Sequence, residues 1–142
     1  MESICAGLDR SLANVVSNHG AAGPNHQTVQ EVNANWGTLK PKLIEALLAG
    51  LYYPGDIRRV WIPKAGGGDR GLGIPNVIDR VVQEAVRGVI GPRYESRFHA
   101  SSHGFRPKRS CHTAITEAKT YLKAGYSIVV DIDLKDFFNR VF

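Results

Sequence analysis

Cysteine is scarce in this sequence: Cys5 and Cys111 are the only two among 142 residues. They stand far apart and share no Cys-x-x-Cys spacing, so neither a disulfide framework nor a zinc ribbon is suggested, and the expected setting is reducing and cytoplasmic. Long apolar runs are missing as well. No stretch approaches the roughly 18 consecutive apolar residues that a membrane span needs. The opening Met1 to Gly7 lacks the basic region and apolar core of an export signal, so no membrane partner is expected. Acidic charge is sparse where basic charge is dense. Residues 57–109 hold eleven Lys or Arg against four Asp or Glu, a local charge of +7 in a chain whose net charge is +5. Such concentration is the electrostatic footprint of a polyanion binder.

What is present fits one modest domain. Hydrophobic residues make up 43% and charged residues 22%, ordinary values for a globular protein. Leu8 to Ser17 suits a short helix with Leu8, Leu12, Val15 and Val16 on one side. The Gly-, Pro- and Asn-rich stretch from Asn18 to Gln27 reads as a loop. Thr28-Val29-Gln30-Glu31 has the form of a capping box opening a helix. Trp36, Leu39, Leu43, Leu47 and Leu51 then recur at helical spacing, with Gly50 as a stop and Pro41 expected to begin a new first turn.

Ile57 to Lys64 and Arg70 to Pro75 read as two strands joined by the glycine-rich turn 65–69. A plain flexible tip is the alternative for the glycines. A hairpin would nevertheless bring Lys64 and Arg70 together, and a point charge beside a planar guanidinium fork suits a triphosphate. After Pro75, Ile78, Val81, Val82, Ala85, Val86, Val89 and Ile90 form the cleanest amphipathic pattern in the chain, with Asn76 as cap and Gly91-Pro92 as the expected end. Arg80, Gln83, Glu84 and Arg87 fall on its polar side.

Between Arg93 and Arg109, five further cations alternate with Tyr94, Phe98 and Phe105, a pattern suited either to a nucleic-acid track or to a loop pinned by its rings. His99, His103, Cys111 and His112 fit no standard zinc spacing, and a structural role is expected for them. A helix is expected from Ser110 through Ala114, Ile115, Ala118, Tyr121 and Leu122 to Gly125. In Ser127 to Phe138, alternation of Val130, Ile132 and Leu134 with Asp131 and Asp133 predicts a strand with one packing face and one acidic face. Solvated edge charges are the plainer reading of those acids.

Three groups of residues carry a resemblance: Ile62-Pro63-Lys64 with Arg70-Gly71-Leu72-Gly73-Ile74-Pro75, then Ser102-His103-Gly104-Phe105-Arg106-Pro107 with Arg109-Ser110-Cys111-His112, and last Asp133-Leu134-Lys135-Asp136-Phe137-Phe138. Together they resemble the reverse transcriptases encoded by group II introns and related bacterial retroelements. The resemblance implies an α+β fold: the fingers subdomain of helices and a β-hairpin, with the first strand of the palm. It divides the chain into an N-terminal helical extension with the start of the fingers (1–56), the fingers (57–125) and an incomplete palm segment (126–142).

By the same likeness the function is that of an RNA-directed DNA polymerase working with two Mg2+ ions. Asp133 would be the catalytic carboxylate, and Asp133 with the Leu134 carbonyl would ligate metal. Lys64, Arg70, Arg106 and Phe138 would bind the incoming dNTP, Phe138 lying beneath its sugar. Arg80, Arg97, Lys108 and Arg109 would contact nucleic acid. Implied partners are an RNA template, a DNA primer, dNTP and intron RNA, with the remaining palm and thumb. The family's later Tyr-x-Asp-Asp turn has no counterpart here, since no two aspartates are adjacent. The expectation is therefore an N-terminal fragment, inactive alone. The alternative is a non-catalytic, maturase-like RNA-binding module or remnant.

Overall fold

The structure is a computed structural model and describes residues 1–134. The chain divides into two units, Met1–Ser96 and the residues from Arg97 onward.

In the first unit, α1 (Glu2–Ala6) is a short helix that the apolar spacing did not announce, and α2 (Leu8–Ser17) follows with the bounds the periodicity predicts. Leu8, Leu12 and Val15 recur on one face of α2 and are buried. α3 (Val29–Ala34) begins at a reciprocal cap. The Thr28 hydroxyl accepts from the Glu31 amide, and the Glu31 carboxylate accepts from the Thr28 amide at 2.7 Å. α4 (Trp36–Leu48) is held to α2 through Asp9, which accepts from the Trp36 indole at 2.8 Å and from Lys40 at 2.6 Å.

Pro41 lies inside α4 and does not begin a new turn. Likewise α5 (Val77–Glu95) runs through Gly91 and Pro92 to Glu95, five residues beyond Ile90. A proline removes one donor and crowds the carbonyl four residues back. At both prolines that residue is a glycine, Gly37 or Gly88, with open space around its Cβ position. Packing then outweighs the local penalty: Val77, Val81, Val82 and Ala85 of α5 are buried against α2 and α3. The core runs through Leu8, Val32, Val77 and Val81, each with under 2% of its surface exposed. Every such side chain contributes about 1.5–3 kcal/mol through burial.

β1 (Arg58–Pro63) and β2 (Asp69–Ile74) form an antiparallel ribbon between α4 and α5 in sequence, exposed along nearly its whole length.

In the second unit, a loop over 97–110 leads into α6 (Cys111–Lys123), capped by the Ser110 side chain. None of residues 97–134 is fully buried. The expected strand over 127–134 is not formed among the described residues, and Ile128, Val129, Val130 and Ile132 are all more than three-quarters exposed. An isolated extended segment has no ladder to satisfy its amides, so β-favouring residues alone do not make a strand.

Candidate nucleotide and nucleic-acid site

The ribbon tip follows from its glycines. Gly67 and Gly68 take φ values of +89° and +76°, the left-handed region that side chains resist. This lets the turn close with Lys64 N donating to Gly68 O at 2.9 Å and Gly67 N to Lys64 O at 3.1 Å. Pro63 pairs with Asp69 and Ile62 with Arg70. Directly opposed residues share a face, and so do residues two apart on one strand. Ile62 and Arg70 therefore lie on the same face, and Lys64 follows directly after β1, where the glycine turn begins. Both cations are exposed.

Arg80 is placed differently. Its Nη2 donates to the Ala21 carbonyl at 2.6 Å, and its side chain lies against Gly20. Burial lowers its pKa from the ordinary guanidinium value. The neighbouring Asp79 is 6% exposed and accepts from three donors: the Tyr52 hydroxyl, the Gly55 amide at 3.2 Å and the Asn76 side-chain amide at 3.1 Å. Asn76 does not cap α5 with its side chain, contrary to the sequence expectation. Its oxygen instead accepts from the Asn25 amide at 3.1 Å. Desolvation first, and Asp79 second, push the Tyr52 phenol above its ordinary pKa. This hub joins the loop 18–27, the connector into β1 and the start of α5. Sequence reading missed it; an Asn at the cap followed three residues on by an Asp was the available signal.

On the polar side of α5, Glu84 is not merely solvated. It receives both Arg87 Nε at 2.7 Å and Asn14 of α2 at 2.8 Å. The Arg87 hydrogen bond is the main reason its carboxyl titrates below the usual range.

In the second unit the basic loop is internally braced. Arg106 Nη1 donates to the carbonyls of His99, at 2.8 Å, and Ser102, at 2.9 Å, while its guanidinium lies 5.3 Å from the Phe98 ring centroid. His103 sits 2.8 Å from both Thr113 Oγ1 and Glu117 Oε2, tying the loop to α6. Hydrogen bonds from Ser101 first, then His103, hold the Glu117 carboxyl below its ordinary pKa. Phe105 and Lys108 take positive φ values, +56° and +59°, at a fully exposed ring and an exposed cation. Arg97 and Arg109 are exposed on the same loop.

Asp131, Asp133 and Leu134 lie on the exposed segment that ends the described residues, and Phe138 falls outside them. Carboxylate and carbonyl oxygens are the donors Mg2+ takes. Yet no three His, Cys, Asp or Glu converge among the described residues, so these residues do not by themselves build a magnesium site. No described helix is long and apolar enough to cross a membrane.

Comparison with known proteins bears on these residues directly. Residues 62–142 match the family model described as reverse transcriptase (RNA-dependent DNA polymerase). The chain is 43% identical over 101 residues to the group II intron-encoded protein LtrA of Lactococcus lactis subsp. cremoris, covering 70% of this chain and 17% of that protein. It is 44% identical over 103 residues to protein YkfC of Escherichia coli (strain K12), covering 70% and 27%. Nuclear intron maturase 1, mitochondrial, of Arabidopsis thaliana is 38% identical over 63 residues, covering 44% and 9%. The chain thus spans between 9% and 27% of the length of these relatives. With the family model matching more than half its residues, this chain belongs to the reverse transcriptase family.

Proposed function

We propose that the chain forms the fingers of a group II intron-type RNA-directed DNA polymerase, with Lys64 and Arg70 gripping the triphosphate of the incoming deoxynucleotide. The observation that supports this reading is the ribbon itself, which pairs Arg70 with Ile62 and leaves Lys64 one residue past β1 at the start of the glycine turn. In this reading Arg97, Lys108 and Arg109 contact the RNA template and DNA primer, or intron RNA. Arg106 serves the nucleotide side of the same loop by bracing it, and Arg80 serves the nucleic-acid site through the loop 18–27 it holds. Phe138 takes its place beneath the sugar. Asp133 and the Leu134 carbonyl contribute oxygen donors to the magnesium site of the complete enzyme, whose other donors come from the rest of the palm.

Primer extension tests this. The 142-residue chain alone should give no DNA product from a primed RNA template with Mg2+, and robust synthesis would contradict the role given to the missing carboxylates. In an enzyme completed by the palm and thumb, Lys64→Ala should raise the KM for dNTP about tenfold or more, in line with loss of a charge-assisted contact. The excess of basic charge over 57–109 favours one second reading, a non-catalytic RNA-binding module. Salt-sensitive RNA binding that survives Asp133→Asn, with no synthesis even by the completed protein, would select it.

A further inference from the structure

We propose that the other face of the ribbon, carrying Arg59 and Trp61, is a stacking platform for an unpaired base of single-stranded RNA. The register sets Arg59 opposite Gly73 and Trp61 opposite Gly71, so neither side chain faces another across the ribbon, and Ile57 lies against Gly73. A Cβ at Gly71 would fall 3.2 Å from Cζ3 of the indole. The ring therefore lies on the bare backbone of β2, its back covered and its front open, and Trp61 is 60% exposed. The Arg59 guanidinium sits 5.9 Å from the ring centroid.

An open indole flanked by a cation needs an occupant that is flat on one side and negatively charged nearby. A nucleotide in a single strand offers both, because its base face is available for stacking while its phosphate meets arginine. Duplex RNA hides its base faces in the stack, so it is a poor occupant. Charge points the same way: from 57 to 75 the ribbon carries Arg58, Arg59, Lys64 and Arg70 against the single acid Asp69. The two ribbon faces thereby differ in ligand. Lys64 and Arg70 meet a phosphate chain, whereas Arg59 and Trp61 meet a base, and the second assignment does not depend on the first.

The test is titration of the 142-residue chain with oligoadenylate RNA, either single-stranded or annealed to oligouridylate, reading tryptophan emission and affinity. Single-stranded RNA should quench emission in the unaltered chain, and the quench should vanish in Trp61→Leu, which keeps Trp36 as an internal reference. Trp61→Ala should weaken single-strand binding about tenfold, while Trp61→Phe should stay within about threefold because a ring remains. Gly71→Val leaves the indole in the chain but crowds its seat, and should lose affinity as Trp61→Ala does. Duplex affinity should be unchanged in all four variants. Lys64→Ala should leave the quench intact, so failure of the triphosphate reading would not be mistaken for failure of this one. Any of three results would overturn the proposal: single-strand affinity unchanged in both Trp61→Ala and Gly71→Val, equal losses for single strand and duplex, or RNA-independent self-association that Trp61→Ala abolishes, which marks a protein-docking face.

Discussion

Asp79 holds three donors in a site almost closed to water, so its removal leaves the Tyr52 hydroxyl, the Gly55 amide and the Asn76 amide without an acceptor. Asp79→Ala should cost about 2–4 kcal/mol, measurable in a urea melt. Asp79→Asn keeps one acceptor oxygen and should cost less. The same hub predicts an alkaline sensitivity. The Tyr52 phenol titrates above its ordinary range in the fold, so its stabilising contribution is complete below about pH 10 and is lost as pH rises toward the higher folded value. Unfolding midpoints should therefore fall more steeply above about pH 10 in the unaltered chain than in Tyr52→Phe. At this scale the ribbon that carries Arg70, with Lys64 at its turn, was legible in the sequence, because a glycine turn between two β-favouring runs encodes a hairpin. Asp79 was not. Its role depends on Tyr52 and Gly55 returning to the start of α5 from more than twenty positions away, which the local Asn76–Asp79 spacing does not record.

Helix starts were the most legible elements. Thr28 and Glu31 form the reciprocal cap their spacing predicts, and Ser110 caps α6 together with Thr113. Because α6 buries no residue, its first turn depends on that cap more than a core helix would. Ser110→Ala should cost about 1 kcal/mol and raise amide exchange at 112–114, whereas Thr28→Ala should cost as much with little effect on exchange across α5. Helix ends were less legible: prolines at 41 and 92 marked breaks that packing overrode. The acidic stretch was misjudged for the converse reason. Alternation at 128–134 encodes a strand with two faces, but a ladder requires a second strand, which the described residues do not provide.

Across the whole molecule, the first unit has a closed core and the second has none among its described residues. Leu8, fully buried, joins α2 to the rest of that core, and Leu8→Ala should destabilise the first unit by about 3 kcal/mol in denaturant unfolding. The family was legible from three short stretches because each is a contiguous run of residues whose identity and spacing are local features. The division into units was not, since it rests on which helices meet. The most direct test of the account is titration of the 142-residue chain with a non-hydrolysable dNTP, followed by amide NMR shifts. Saturable shifts should centre on Lys64, Gly67, Gly68 and Arg70, and Lys64→Ala or Arg70→Ala should each weaken binding about tenfold. Shifts that leave the ribbon untouched, or affinity indifferent to both substitutions, would contradict the assignment of the triphosphate to that face.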